Sequence, residues 1–344
     1  MILTVTPNPA WDVTYEVPAL VPGELHRVAR VHRRLGGKGV NVARVLAALG
    51  HDAVAVLPGP GRLPAEAGEP GNGAGRLPAF DVVPGLSAIR QALVVHGDDG
   101  VTTSLWEPGA EPVPGTAAAL AGRVRAWLSG DAWASGDGRA RRPHPDDPAD
   151  VGEDTPRGVS GIVVSGSLPP GLDTRLHARL AAMALEAGVP AVVDASGEAL
   201  AHAATGPGVV LAPNASELEQ LVGSPCDGLA EAAAAARAVL AGTGMTGTGM
   251  RGCGLPDDER GMACVAGRPG GPEAVVVTLG ADGLVAVTGN GAWHGCLDRS
   301  LAGNPTGAGD AATAALIAGL ADSAGWPGIV RDAVALSAAA VLSP

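Results

Sequence analysis

Residues 304–310, NPTGAGD, combine a glycine turn with a carboxylate, and this combination is suited to phosphoryl transfer. Gly307 and Gly309 let the backbone bend and approach a ligand closely, because neither carries a Cβ atom. Residues 311–320 favour an apolar helix, so the N–H groups of the turn would lie at a helix N-terminus, which binds anionic oxygens. Asp310 would repel an anion unless it accepts the proton of an attacking hydroxyl, as phosphoryl transfer requires. An aspartate that only caps a buried helix is the structural alternative.

A second glycine turn, GGKG at residues 36–39, opens a predicted helix over 40–49. Lys38 beside the helix N–H groups suits an anionic ligand, although the GxxxxGK[ST] spacing of a P-loop is absent. Asn41, in the first turn, would either point toward the same ligand or satisfy the helix end. The predicted strand before this turn carries a basic patch, which could also be no more than a solvated strand face. The patch consists of Arg27, Arg30, His32, Arg33 and Arg34.

The composition favours one large domain with an aliphatic core. Of 344 residues, 46% are hydrophobic but only 2% are Phe, Trp or Tyr, so Val, Leu and Ala must fill the interior. The formal net charge of −12 argues against nucleic acid as a general partner. The sequence shows neither a signal peptide nor an apolar run long enough to span a membrane, which predicts a cytoplasmic protein without a membrane partner. Four cysteines lack metal-site spacing, as expected for reduced thiols: Cys226, Cys253, Cys264 and Cys296.

Buried-strand patterns alternate with helical patterns along most of the chain. The predicted strands cover 2–5, 53–57, 161–164, 190–194, 209–211 and 274–278, and the predicted helices include 116–128, 173–187, 229–240 and 327–342. This alternation predicts an α/β fold with a mainly parallel sheet covered on both faces. The candidate ligand residues follow strands or open helices, so they would gather at the carboxyl edge of the sheet, where ligands bind. These residues are Asp12, 165–167, Asn214, 278–280 and 307–310.

Two segments, 11–35 and 88–107, fall outside this alternation and are predicted to form a small β-sheet lid. The second segment contains the clearest hairpin of the chain, with Arg90 near its start. Residues 58–80 are predicted as a loop. The Gly-rich segments 129–160 and 242–272 are predicted as flexible insertions.

Eight motifs occur in the order that is typical of one enzyme family. They are TPNPAWD (6–12), GGKGVNVARVL (36–46), IRQALVVHGDDG (89–100), VSGSLPPG (164–171), VDASGEAL (193–200), PNASELE (213–219), VVVTLGADG (275–283) and PTGAGDAATAAL (305–316). With these motifs the chain resembles the PfkB, or ribokinase-like, carbohydrate kinases, and within them the 1-phosphofructokinase and tagatose-6-phosphate kinase branch. The resemblance implies a single domain over 1–344, built as a three-layer α/β/α sandwich with a mainly parallel central sheet and a small β-sheet lid.

The resemblance also assigns roles to individual residues. Asp310 matches the base that deprotonates the acceptor hydroxyl, and the amides of Gly307, Ala308 and Gly309 match an anion hole for the transferring phosphoryl group. The positions that hold the sugar or its phosphate are matched by Asp12, Gly37, Lys38, Asn41, Arg90 and Ser167. The nucleotide positions are matched by Asn214, Glu217, Thr278, Gly280 and Gly283, with Glu217 acting indirectly on Mg²⁺.

The implied reaction is ATP-dependent phosphorylation of a phosphosugar, with Mg²⁺ as cofactor and a homodimer joined through the lid. Fixed cations suit a substrate that already carries a phosphate, so the basic residues of 27–38 and Arg90 favour a phosphosugar over a free sugar. The GGKG motif resembles that of the fructose-1-phosphate and tagatose-6-phosphate kinases, and the expected acceptor is fructose 1-phosphate, giving fructose 1,6-bisphosphate. Tagatose 6-phosphate and fructose 6-phosphate are the alternatives. Potassium is left open as a further cofactor, because the chain ends at Pro344, where potassium-site residues of the family would follow.

One departure from the family pattern supports a function of another class. Ala212 stands where the family usually has a lysine before Pro-Asn, so a cation for the ATP phosphates is missing. A degenerate kinase that binds a sugar phosphate as a sensor or scaffold is therefore an alternative. A nucleoside or free-sugar kinase of the same fold is a second alternative, against which the basic lid argues.

Overall fold

The computed structural model describes residues 1–61, 76–134, 158–243, 270–299, 301, 303 and 306–342. The chain divides into two compact units. The C-terminal unit comprises Met1–Leu3, Arg157–Ser165 and Thr174–Pro344, and the N-terminal unit comprises Thr4–Pro156 and Gly166–Asp173.

The strands and helices are numbered in chain order. The strands are β1 (Ile2–Val5), β2 (Ala10–Val17), β3 (Arg30–Gly36), β4 (Ala53–Gly59), β5 (Ala79–Pro84), β6 (Arg90–Gly97), β7 (Thr102–Trp106), β8 (Gly161–Ser165), β9 (Ala191–Asp194), β10 (Val210–Leu211), β11 (Ala274–Thr278), β12 (Leu284–Thr288) and β13 (Gly291–Gly295). The helices are α1 (Lys38–Ala48), α2 (Thr116–Ser129), α3 (Asp131–Ala134), α4 (Leu176–Glu186), α5 (Gly197–Ala203), α6 (Ala215–Val222), α7 (Leu229–Ala241), α8 (Ala308–Ala321) and α9 (Trp326–Leu342). No helix in the described part of the chain is both long and apolar enough to cross a membrane.

The C-terminal unit contains a mainly parallel sheet. Its strands are hydrogen-bonded in the order β13-β12-β11-β10-β9-β8, and β1, of which Ile2 and Leu3 belong to this unit, follows β8. The strands from β8 to β11 pair in parallel, and the register aligns Val210 with Val192 on one side and Ala274 on the other. β12 and β13 form an antiparallel hairpin at the edge. The predicted α/β fold with a mainly parallel sheet is confirmed.

The N-terminal unit contains strands of two sheets. β4 lies between β1 and β5 in the strand order and pairs with β5 in parallel. The other sheet, which we call the small sheet, is mixed and has the strand order β3-β2-β6-β7. β2 and β6 pair in parallel, and the two outer pairs are antiparallel. These four strands come from the two segments predicted as a lid, so the predicted small sheet is confirmed. Its action as a lid stays a prediction.

Aliphatic side chains fill the interior of both units, as the composition predicts. All five residues of β8 and all five of β12 are buried, which is typical of strands covered on both faces. Among the described residues, aromatic rings make few contacts with one another. In the C-terminal unit, Trp293 of β13 stacks on Trp326 at the start of α9, with ring centroids 6.1 Å apart and planes inclined by 17°.

The predicted loop over 58–80 is wrong at both of its ends. β4 extends to Gly59, and β5 begins at Ala79, a strand that the sequence pattern does not reveal. Asp81 hides this strand, because a buried aspartate interrupts its apolar pattern. Asp81 Oδ2 accepts a hydrogen bond from Trp127 Nε1 at 2.7 Å and lies 3.5 Å from Arg123 Nε, so its burial is compensated. Residues 62–75 of the predicted loop lie outside the described chain.

Other boundaries shift by a few residues. β3 begins at Arg30, so Arg27 of the predicted basic strand lies before it, after a segment in which Val21 N donates to His26 Nε2 at 2.8 Å. α3 lies inside the segment 129–160 that is predicted as flexible, since residues 131–134 close a single helical turn. Most of this segment and of 242–272 lies outside the described residues. Their flexibility and the single-domain organisation therefore stay predictions.

Candidate functional site

Asp12 lies in the small sheet beside a glycine that leaves room for its carboxylate. On β2 it is opposite Arg34 of β3, and its Oδ2 atom is 4.0 Å from Arg34 Nε. A Cβ atom at Gly36, the last residue of β3, would overlap the Asp12 carboxylate. Any larger residue at position 36 would therefore displace Asp12.

Burial raises the pKa of Asp12 above its ordinary value of 3.8. The charge of Arg34, a hydrogen bond with the Asn41 side chain and the charges of Arg90 and Arg44 lower this pKa, but burial dominates. The result is a partly desolvated carboxylate among three guanidinium groups. Such a carboxylate is a strong acceptor for hydroxyl hydrogen bonds. The structure thus brings together three of the predicted sugar-site residues, Asp12, Asn41 and Arg90.

Arg90 is the first residue of β6, and a hydrogen bond holds one end of its guanidinium group. Its Nη1 atom donates to the Glu107 carbonyl at 2.9 Å, while Nε is buried and has no hydrogen-bond partner among the described residues. Burial lowers the pKa of Arg90, and the charges of Asp12 and Glu107 partly restore it. Burial and the charge of Arg34 also lower the pKa of Arg44, whose Nη2 atom donates to the Leu35 carbonyl at 3.3 Å. Both guanidinium groups are therefore partly withdrawn from water.

The glycine turn before α1 has the form that an anion site requires. Gly37 caps the helix with a φ of 101°, a conformation that favours glycine, and α1 has no acidic residue in its first turn. Lys38 is the first helical residue, so its charge adds to the positive end of the helix dipole. Gly166, in the loop after β8, faces it closely, since a Cβ atom there would lie 3.7 Å from Lys38 Cβ. In the same loop Ser167 is exposed, and its Oγ accepts a hydrogen bond from Asn8 Nδ2 at 3.0 Å.

In the C-terminal unit, the predicted turn and helix around Asp310 are present. Gly307 caps α8 with a φ of 87°, and its carbonyl accepts the first helical hydrogen bond from Ala311 N at 2.9 Å. Asp310 lies in the first turn and is only 8% exposed. The amides that precede Ala311 have no acceptor within the helix, so they form a donor group at its N-terminus. Ser337 Oγ of α9 donates to the Ala308 carbonyl at 2.9 Å and fixes this end of the helix.

The predicted nucleotide residues also come together within the C-terminal unit. Asn214 and Glu217 form a capping box at the start of α6. Asn214 forms a parallel bridge with Thr278, and Thr278 N donates to the Pro213 carbonyl at 3.2 Å. The turn after β11 needs glycine twice, because Gly280 has a φ of 61° and Gly283 a φ of 81°. A Cβ atom at Gly283 would overlap the Gly295 carbonyl. These contacts hold two strand ends and one helix start side by side.

Comparison with known proteins shows which family the chain is similar to. The model of the family described as pfkB family carbohydrate kinase matches residues 248–344, which include the Asp310 turn. The ATP-dependent 6-phosphofructokinase isozyme 2 of Mycobacterium tuberculosis is 28% identical over 349 residues, which cover 100% of this chain and 84% of that protein. Phosphofructokinase-2 from Escherichia coli, in its tetrameric inhibited form, is 25% identical and aligns with a TM-score of 0.73 over 99% of this chain and 94% of its own. The chain is thus similar to the pfkB family of carbohydrate kinases.

Two further solved structures are similar to this chain. The E. coli enzyme has also been solved in complex with fructose-6-phosphate, where it is 25% identical to this chain with a TM-score of 0.71, covering 99% and 93% of the two chains. Arabidopsis thaliana ribokinase, at 18% identity and a TM-score of 0.60 over 99% and 92% of the two chains, shares the fold. The predicted ribokinase-like fold is therefore confirmed.

Asp12 has two neighbours that the sequence-based site omits, Arg34 and Arg44, and Asn8, the partner of Ser167, is omitted as well. Arg34 is predicted only as part of a basic patch, and Arg44 and Asn8 are not singled out. Arg44 follows Asn41 by three residues, the spacing that places two side chains on one helix face, and could have been found by that signal. Asn8 offers no such signal, because its contacts join segments that are far apart in the sequence.

The described residues do not form a direct metal site of clustered side chains. No group of three or more His, Cys, Asp or Glu side chains that could hold a metal ion occurs among the described residues. Glu217 Oε2 accepts the Asn214 N–H at 2.9 Å, so this carboxylate is committed to the helix cap. An indirect, water-mediated role toward nucleotide-bound Mg²⁺ is compatible with this arrangement and stays a prediction.

Proposed function

We propose that this kinase transfers the γ-phosphoryl group of ATP to a fructose monophosphate. The observation that carries the proposal is the position of Asp12 among Arg34, Arg44 and Arg90. A desolvated carboxylate recognises sugar hydroxyls, while guanidinium groups recognise a phosphate through paired hydrogen bonds. A free sugar would need neutral hydrogen-bonding groups instead, so the three cations support an acceptor that already carries a phosphate.

The N-terminal unit would bind this acceptor. Asp12 and Asn41 would hold hydroxyl groups, and Arg90, whose buried Nε donor has no partner among the described residues, would bind the phosphate. Lys38 and the amides after Gly37 would add positive potential at the start of α1. Ser167 would donate its hydroxyl proton to a ligand oxygen from the loop after β8.

The C-terminal unit would supply the transfer chemistry. Asp310 would accept the proton of the acceptor hydroxyl, which then attacks the γ-phosphorus of ATP as ADP leaves. The amides of Gly307, Ala308 and Gly309 would stabilise the charge on the transferring group. The position of Asp310 in the first turn of α8 supports this role, because it lies next to these amides along the chain.

Asn214, Glu217, Thr278, Gly280 and Gly283 would bind the nucleotide. The capping box holds Asn214 and Glu217 in place, and the two glycines allow the backbone to approach the ligand. Mg²⁺, when bound, neutralises charge on the nucleotide phosphates, and Glu217 would orient its water ligands.

Three phosphosugars are candidates for the acceptor. The GGKG turn at 36–39 favours fructose 1-phosphate, the acceptor that the sequence predicts. Fructose 6-phosphate is supported by the relatives, because the M. tuberculosis protein is described as a 6-phosphofructokinase and the E. coli enzyme has been solved with fructose-6-phosphate. Tagatose 6-phosphate, which carries its phosphate at the same position as fructose 6-phosphate, is a third candidate.

A non-catalytic sugar-phosphate sensor is the alternative from another class. Ala212 favours it, because a methyl group stands where the family resemblance implies a lysine for the ATP phosphates. Ala212 N donates to the Val193 carbonyl at 2.9 Å, so the backbone at this position is part of the sheet and offers no substitute cation. The retained Asp310, Asp12 and Lys38 support the enzyme over the sensor.

We also propose that the protein is a homodimer joined through the small sheet. Apolar side chains of its edge strands are exposed, including Val31 at 58%, Leu105 at 56% and Trp106 at 72%. A tetrameric form is known for the E. coli relative, so assembly size needs measurement.

Potassium is a candidate cofactor because the E. coli relative has been solved in complex with it. The cytoplasmic location stays a prediction.

The test is a coupled assay of ADP release with Mg-ATP and four acceptors: fructose 1-phosphate, fructose 6-phosphate, tagatose 6-phosphate and free fructose. We expect turnover with a fructose monophosphate and none with free fructose. Turnover with free fructose alone would overturn the role of the cations. Binding of a phosphosugar without turnover of any acceptor would establish the sensor instead. Repeating the assay with potassium replaced by a bulky organic cation measures the potassium requirement.

A further inference from the structure

We infer that Asn8 is a positioning residue that fixes the direction in which the Ser167 hydroxyl donates its proton. The inference rests on the proposed function, in which Ser167 contacts the phosphosugar. Asn8 lies within the TPNP segment after β1 and is only 3% exposed, whereas Ser167 is exposed. A buried amide thus supports a serine that is accessible to a ligand.

The Asn8 side chain joins three distant segments of the N-terminal unit. Its Nδ2 atom donates to Ser167 Oγ at 3.0 Å and to the Pro108 carbonyl at 3.0 Å. Pro108 lies after β7 and Ser167 lies after β8, so the amide connects the end of the small sheet to the loop that carries Ser167. Each of the two Nδ2 hydrogens therefore has an acceptor.

The Pro108 carbonyl determines the orientation of the amide. A carbonyl oxygen can only accept hydrogen bonds, so the amide atom that faces it must be nitrogen. The same nitrogen faces Ser167, and Ser167 Oγ must therefore act as the acceptor in that contact. Its own hydrogen cannot point toward Asn8 and is directed elsewhere. The exposed hydroxyl is thereby prepared to donate to an anionic ligand oxygen.

Gly109 supports this arrangement from the other side of the amide. It has a φ of 107°, and a Cβ atom at this position would clash with Asn8 Oδ1. Asn8 Oδ1 has no hydrogen-bond partner among the described residues, so the two donor bonds alone hold the amide. An aspartate at position 8 would place an oxygen opposite the Pro108 carbonyl and could not maintain both bonds.

A double-mutant cycle tests the inference. The variants are Asn8→Ala, Ser167→Ala and the double variant, with Asn8→Asp as an isosteric probe and Asn290→Ala as a control for loss of an asparagine elsewhere. We expect Asn8→Ala and Ser167→Ala each to raise KM for the phosphosugar roughly tenfold, and the double variant to be no worse than Ser167→Ala. Asn8→Asp should resemble Asn8→Ala, and Asn290→Ala should leave KM unchanged.

The outcomes separate this inference from the proposed function. If the wild-type protein is active and the two substitutions multiply in their effects on KM, Asn8 acts independently of Ser167 and the inference is overturned. If the wild-type protein turns over none of the acceptors, the proposed function fails. Calorimetric titration of the same variants with fructose 1-phosphate and fructose 6-phosphate then decides the inference. Loss of coupling in binding, or no binding at all, would overturn it.

Discussion

Asn214 and Glu217 cap α6 reciprocally, because Asn214 Oδ1 accepts from Glu217 N at 2.8 Å while Glu217 Oε2 accepts from Asn214 N at 2.9 Å. The helix itself therefore holds both side chains that are proposed to serve the nucleotide. The structural and functional roles of this pair can be separated by substitution, since a cap needs an oxygen acceptor whereas the nucleotide site needs a charge.

We expect Glu217→Gln to keep the cap but to raise KM for Mg-ATP, because the amide oxygen can still accept while the negative charge is lost. Glu217→Ala should in addition lower the free energy of unfolding by about 1 kcal/mol. Urea unfolding and the ATP dependence of ADP release measure the two effects. The exposed Glu219→Gln is the control. An unchanged KM in Glu217→Gln would remove this charge from the nucleotide site.

Asp310→Asn should lower kcat by about 10²–10⁴-fold, because the amide cannot accept the acceptor hydroxyl proton. The side chains are nearly isosteric, so the thermal unfolding midpoint should change little. Asp322→Asn, at the opposite end of α8, is the matched control and should retain activity. An equally active Asp310→Asn variant would leave Asp310 as a helix-end residue without a part in the chemistry.

Arg90→Ala should raise KM for the phosphosugar by roughly 10–100-fold with a smaller change in kcat, because it removes a charge-assisted contact to the substrate phosphate. Arg90→Lys should recover only part of the loss, since an ammonium cannot form paired hydrogen bonds. The exposed Arg30→Ala on β3 controls for loss of positive charge. Steady-state kinetics with varied acceptor gives the comparison, and an unaffected KM would assign the phosphate contact to another residue.

Asp12 should make the stability of the protein depend on pH. Because burial raises its pKa above 3.8, the folded state binds more protons than the unfolded state between the two pKa values, and stability falls as the pH rises through that interval. We expect Asp12→Asn to raise the free energy of unfolding at neutral pH while weakening sugar binding, and the gain should shrink as the pH approaches 3.8. Urea unfolding over a pH series measures this, with the exposed Asp98→Asn as control. A less stable Asp12→Asn variant at neutral pH would show that pairing with the arginines outweighs burial.

Leu105→Glu should dissociate the proposed dimer, because a charge on the exposed face of β7 cannot be buried in an interface without a partner. Light scattering coupled to size-exclusion chromatography gives the mass directly. Val113→Glu introduces the same charge at a residue that is 44% exposed outside the small sheet and should leave the mass unchanged. A monomeric wild-type protein, or a variant with the wild-type mass, would contradict assembly through this face.

Most of the fold could be predicted because its elements carry local signals. β8 and β12 are short aliphatic runs, and β6 and β7 are joined by a Gly-Asp-Asp-Gly turn. β5 could not be predicted, since the burial of Asp81 depends on Trp127 and Arg123, which are distant in the sequence. Local patterns contain no information on such compensation.

The candidate site shows the same division. Asp12, Lys38 and Asp310 stand in motifs whose residue types indicate their chemistry, so they could be selected from the sequence. Asn8 could not be selected, because its contacts with Pro108 and Ser167 span 100 and 159 residues. The roles of all these residues await the measurements above.

The stacked indoles of Trp293 and Trp326 make the C-terminal unit its own optical reporter. The two ring centroids are 6.1 Å apart, close enough for their electronic transitions to couple, and a skew between the two transition dipoles gives a paired positive and negative band in circular dichroism that an isolated tryptophan lacks. The signal would vanish when α9 separates from β13. Loss of catalysis in any variant of Asp310 or Glu217 can therefore be distinguished from undocking of this helix without substrate, label or nucleotide.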